Sequence, residues 1–280
     1  MASTKKLFAK LRRRGPHRVL RGDLAFAGLP GVVYTPESGT NLPGVAFAHD
    51  WLTPAHSYAG TLEHLASWGI VAAAPNTEKG LAPSALNLAF DLGTTLDIIS
   101  GVRLGPGQIS VHPGKLGVAG HGFGGSAAVF AAAGAPTRVK AVGALFPSST
   151  SPRAEEAAAG LAARGLILTA PGDPMTLRSN AVELARAWNA GTLRLVNGGK
   201  AGGLVEGRRL ARAVGLPGAD TSTQKIVRAL LTGFLLAELA GNKDYQDFAD
   251  PEAPLPKTEL GDPNEDPVDL ENKVVSLLKP

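Results

Sequence analysis

The chain has 280 residues, 44% of them hydrophobic and 19% charged, which is enough for one sizeable domain with a large core. It has no cysteine, which excludes thiol catalysis, disulfides and cysteine-bound metals, and its 5% of aromatic residues is too few for a platform that stacks single-stranded bases. The net charge of +4 is uneven, with eight Lys and Arg before the first acid, Asp23, and ten acids against Lys257 alone from Asp244 to Glu271; the middle is roughly balanced, so no nucleic-acid-binding face is expected.

Residues 1–16 form a basic lead-in. Leu7, Phe8 and Leu11 fall together on a helix, surrounded by Lys5, Lys6, Lys10, Arg12, Arg13 and Arg14. This pattern fits a frayed, solvated terminus or a weak contact with an anionic membrane surface. No apolar h-region follows, so no secretory signal is expected. The expected location is cytoplasmic, peripheral to the membrane if the second reading holds.

Residues 18–26 and 31–35 read as strands around the turn signal Gly28-Leu29-Pro30-Gly31. An alternation follows. Strands are expected at 44–49, 69–75, 115–119, 139–145, 165–170 and 193–196. Helices are expected at 57–68, 85–102, 126–133, 152–164, 180–188 and 223–239. Strands and helices joined by short connections predict an α/β fold, a mostly parallel central sheet with helices on both faces. The longest apolar stretch, 229–240, is interrupted by Thr232, Gly233 and Glu238 and is too short to span a bilayer. The domain is expected over 17–242. Residues 243–280 read as an acidic, Pro-rich extended tail, with an amphipathic end at 268–278.

One stretch carries chemistry. Gly120-His121-Gly122-Phe123-Gly124-Gly125 lies between an apolar strand and a small-residue helix, the context of a Gly-x-Ser-x-Gly nucleophile elbow. Gly122 stands where the nucleophile belongs.

Together with Pro43 to Trp51, His112 to Gly125, Gly172-Asp173-Pro174 and Asn197-Gly198-Gly199, this stretch resembles the α/β-hydrolase superfamily. The chain is most similar to its cutinase-like polyesterase and dienelactone-hydrolase-like branch, over roughly residues 18–250. The resemblance implies the α/β-hydrolase fold and a serine ester hydrolase whose nucleophile, acid and histidine follow in that order. Residue by residue it assigns the nucleophile position to Gly122, the acid to Asp173 and the histidine to Ala201. A glycine cannot attack and an alanine cannot take a proton. All six histidines, at 17, 49, 56, 64, 112 and 121, precede Gly122, so none can serve after the last strand.

The resemblance also implies an oxyanion hole at the backbone N–H groups of Trp51 and Phe123, a small anion or carbonyl site at the N-terminus of the following helix. Asp50 replaces the small residue usual there, and its charge opposes an anion. His121, Tyr58 and Met175, with Trp51, Phe123 and His56, are candidates to line the pocket. Ser126 lies one turn into the helix and is expected to face packing. His49 and His121 match no metal spacing. No metal and no cofactor are implied. The expectation is a catalytically inactive homologue that binds a small carbonyl or acyl ligand or a protein partner. Two alternatives stand beside it: an ester hydrolase with an unorthodox site, and a membrane-surface scaffold using the basic N-terminus and the tail.

Overall fold

A computed structural model describes residues 3–170, 179–207 and 218–264. Nine strands form one sheet in the order β1-β2-β4-β3-β5-β6-β7-β8-β9. They are β1 (Val19–Asp23), β2 (Gly31–Pro36), β3 (Gly39–Ala48), β4 (Val71–Pro75), β5 (Ile109–His121), β6 (Val139–Leu145), β7 (Arg164–Thr169), β8 (Gly191–Val196) and β9 (Thr258–Leu260). The pairs from β4 through β8 are all parallel, and the outer pairs are antiparallel. The architecture is α/β, as the alternation predicts, and it is consistent with an α/β-hydrolase-like fold, as the resemblance implies.

The interior strands read as nearly unbroken apolar runs because helices cover both of their faces. One face packs α1 (Thr4–Leu11), α2 (Ala59–Ser67) and α7 (Thr221–Glu238); the other packs α3 (Ala85–Gly101), α4 (Phe123–Gly134), α5 (Ala154–Ala158) and α6 (Ala181–Ala187). Side chains alternate between the two cores with the period of a strand. Val45 and Phe47 enter the first core, and Ala46 and Ala48 enter the second. β3 and β5 are neighbours, with Ala48 opposite Gly120. Their carboxyl ends bring the loop after β3 against the turn after β5, where open parallel sheets place their sites.

The N-terminal segment is not frayed, contrary to the first expectation for it. Leu7, Phe8 and Leu11 are buried in the core beside α7. The Trp68 indole donates to the Arg13 carbonyl at 3.1 Å, and Gly15 N–H donates to Ser67 Oγ at 2.9 Å. The apolar face of α1 is buried in the chain's own core, while Lys5, Lys6 and Lys10 remain exposed. Leu7→Ala is therefore expected to cost about 2 kcal/mol in urea unfolding; a frayed terminus would show no change.

The tail is not an extended linker as far as residue 264. Tyr245, Phe248 and Leu255 are buried, and β9 pairs antiparallel with β8, Val196 opposite Thr258. A guanidinium nitrogen of Arg194 donates to the Asp250 carbonyl at 2.8 Å and holds this return in place. The amphipathic end at 268–278 lies outside the described residues. The helix expected over 152–164 is also shorter. It spans Ala154–Ala158, Gly160 follows, and Arg164 already pairs with Ala141 in the sheet. Among the described residues no helix is long and apolar enough to cross a membrane.

Candidate functional site

The turn after β5 has the sharp backbone of an elbow. Gly122 adopts φ 54° and ψ −118°, which side-chain-bearing residues rarely occupy. Its N–H donates to the Leu145 carbonyl at 3.0 Å, and its carbonyl accepts from Gly125 N–H at 3.0 Å and Ser148 N–H at 3.1 Å. Gly124 passes so close to β3 that a Cβ there would overlap the Ala48 and His49 carbonyls. α4 begins at Phe123 and buries its small residues from Gly124 to Ala128, which lets it lie close against the sheet.

The space above Gly122 is filled from the neighbouring loop. Asp50 Oδ1 accepts from Phe123 N–H at 2.9 Å and from Trp51 N–H at 2.8 Å. These are the two N–H groups that the resemblance assigns to an oxyanion hole. A Cβ on Gly122 would overlap the same carboxylate. Asp50 thus does two things. It caps α4, whose own N-cap glycine has no side chain, and its charge sits at the positive end of the helix dipole. It also occupies both donors in the ground state, leaving neither for a developing oxyanion. The sequence marks Asp50 as a charge that opposes an anion; the structure makes it the anion.

The rest of the loop fixes Asp50. Its N–H donates to the Tyr58 hydroxyl at 3.1 Å, and its carbonyl accepts from Thr53 N–H at 3.1 Å. His49, fully buried, places its ring nitrogens 2.9 Å from the Asp50 carbonyl and 2.7 Å from the Thr77 carbonyl. It clamps two loops together.

His121 is buried at the end of β5. Its Nε2 lies 2.9 Å from the Ala201 carbonyl, which can only accept, so Nε2 carries a proton. In the neutral ring, Nδ1 then accepts from the Tyr58 hydroxyl at 2.7 Å. The Asp50 carboxylate stands 4.0 Å from this nitrogen, too long for a hydrogen bond. The neutral ring has no lone pair left over for a metal or a substrate. Ala201, the position that the resemblance assigns to the histidine, thus meets the elbow through its backbone.

The remaining candidates divide. Tyr58 is buried in this network, Trp51 is 39% exposed at the rim, and Phe123 is half-buried against the core beneath α4. His56 is exposed. Ser126 is fully buried and donates to the Ser148 carbonyl, which commits its proton as packing requires. Asp173 and Met175 lie outside the described residues. Among the described residues no cluster of His, Asp or Glu could hold a metal.

Glu206 is a further organising residue, and the sequence reading misses it. Its carboxylate accepts from Gly60 N–H at 2.7 Å and Thr61 N–H at 3.0 Å, and pairs with Arg228 at 2.7 Å. It caps α2 from a distant loop and ties α2 to α7. A lone acid between Val205 and Gly207 gives no sequence signal for this role. Comparison with models of known protein families and with curated proteins finds no match for the chain.

Proposed function

We propose that this chain is a catalytically inactive relative of the α/β-hydrolases that acts by binding a ligand or a protein partner. One observation carries the reading: the Asp50 carboxylate takes both N–H groups expected of an oxyanion hole and the space above Gly122. The absence of any histidine after residue 121 supports it independently. A serine hydrolase needs a nucleophile, a base and an empty pair of donors, and the described residues around the elbow offer none of the three. Leu86 and Phe90, one turn apart on α3, are 49% and 75% exposed, which supports a protein partner over purely internal packing.

The test is an assay of the purified protein on short acyl esters together with a fluorophosphonate probe. The expected result is no turnover above buffer and no labelling. Labelling or turnover abolished by Ser126→Ala would overturn the reading.

A further inference from the structure

The basic residues of the N-terminal segment do not project into solvent as a loose tail. The docking of residues 13–15 on the end of α2 turns Arg12, Arg13 and Arg14 toward α2 and the first turns of α7. There, with Lys225 and Arg228, they line a cavity of about 440 Å³ whose described lining residues include one acid, Glu63. The volume lies in the usual range of small-molecule sites, about 300–1,000 Å³, and exceeds what a bare inorganic anion fills.

The charges in this cavity are unequally compensated. Arg228 pairs with Glu206 at 2.7 Å, and Arg14 pairs with Glu63 at 3.3 Å across a largely exposed rim. Arg12, Arg13 and Lys225 have no ion-pair partner among the described residues. Among the described residues the buried Arg12 Nε also lacks a hydrogen-bond partner, as does Nε2 of His64, which lines the same cavity and is 6% exposed. Three uncompensated cations around one cavity repel one another, and a single carboxylate would neutralise only one. A phosphate monoester carries about −1.5 to −2 at neutral pH and three acceptor oxygens. Guanidinium forks match those oxygens in pairs.

We propose that the cavity between α1, α2 and α7 binds the phosphate group of a phosphomonoester, held by Arg12, Arg13 and Lys225. None of these residues belongs to the elbow, so the proposal stands whether or not the elbow is inactive. The phosphate can come from a soluble metabolite or from a lipid headgroup, and the exposed lysines of α1 lie on the same segment in either case.

Two probes separate these sources. Glycerol 3-phosphate is titrated calorimetrically into the full chain, and co-sedimentation is measured with phosphatidylcholine vesicles containing phosphatidic acid, or phosphatidylserine at matched charge. The variants are Arg13→Gln/Lys225→Gln, both at exposed positions, and Lys5→Gln/Lys6→Gln as a control outside the cavity. Losing two charge-assisted contacts is expected to weaken binding by at least about tenfold, with the control unchanged for glycerol 3-phosphate. Binding of glycerol 3-phosphate that falls in the cavity variant supports the proposal with a soluble source. Binding confined to phosphatidic acid vesicles, and lost in the cavity variant, supports it with a lipid source. No binding of either probe overturns it. So does binding that the cavity variant leaves intact. Vesicle binding that is equal for the two lipids, without binding of glycerol 3-phosphate, would be surface attraction alone and overturns it as well.

Discussion

Gly122→Ser is expected to destabilise the protein by about 3 kcal/mol and to yield no esterase. Two costs add. A side chain at φ 54° is strained by about 1–3 kcal/mol. The new Cβ also overlaps the Asp50 carboxylate, which must leave the Trp51 and Phe123 N–H groups or distort its bonds to them. A double-mutant cycle separates the costs. Asp50→Ala alone is expected to cost about 2 kcal/mol, the loss of a helix cap and its charge-assisted bonds. In that background Gly122→Ser meets only the backbone strain, so the two changes together should cost about 1–2 kcal/mol less than their sum. Urea unfolding of the four proteins measures this coupling. Strict additivity would show that Asp50 does not occupy the space above residue 122.

The same double variant tests the chemistry. Gly122→Ser/Asp50→Ala introduces a hydroxyl and frees both N–H groups, yet no histidine follows the elbow. His121 already gives its Nε2 proton to the Ala201 carbonyl and receives the Tyr58 hydroxyl at Nδ1. The expected outcome is a protein without turnover of short acyl esters. An active esterase from either variant would mean that a base exists which the described residues do not reveal.

The parts of the fold that show in the sequence are those whose signal is local. The strands from β4 to β8 each carry a mainly apolar run, and the elbow is written in closely spaced glycines. The parts that do not show depend on distant partners. Leu7, Phe8 and Leu11 mark an amphipathic helix, but nothing local says that its apolar face meets α7 and not a membrane or water. β9 has three residues, Thr258 to Leu260, among prolines and acids; it pairs with β8 where Arg194 bonds the returning chain at the Asp250 carbonyl. The site follows the same rule. That a glycine stands where the resemblance places a nucleophile is visible at Gly122, and that no histidine follows it is visible in the positions of all six. What Asp50 does is set by a bond to Phe123, 73 residues away, and Glu206 reaches Gly60 across 146 residues.

Acidification should destabilise the fold through His64. The residue is 6% exposed on α2, and burial first, then the Arg228 charge, push its imidazole down to about 4, with a hydrogen bond to the Leu11 backbone acting the other way. Arg12, Arg13 and Arg14 from the N-terminal segment and Lys225 from α7 line the same cavity, and Glu63 is the acid in its lining. In the unfolded chain the imidazole takes up its proton near the usual value of about 6.5. Between about 6.5 and 4 the unfolded state therefore binds the extra proton, and stability falls as pH falls. His64 is fully compatible with the fold above about 6.5 and lowers stability by about 3 kcal/mol once pH is below 4, roughly 2 kcal/mol of it by pH 5. Other groups contribute to acid unfolding as well, so the measurement is a difference. Urea unfolding over a range from about pH 7.5 to about 4.5, chosen to bracket the imidazole's passage from its unfolded value, is compared between the parent and His64→Leu. The substitution keeps a side chain of similar size and removes the titrating group. The variant should lose markedly less stability across this window. Parallel curves would mean that His64 titrates alike in the folded and unfolded chains, and that the cations of the cavity do not act on it.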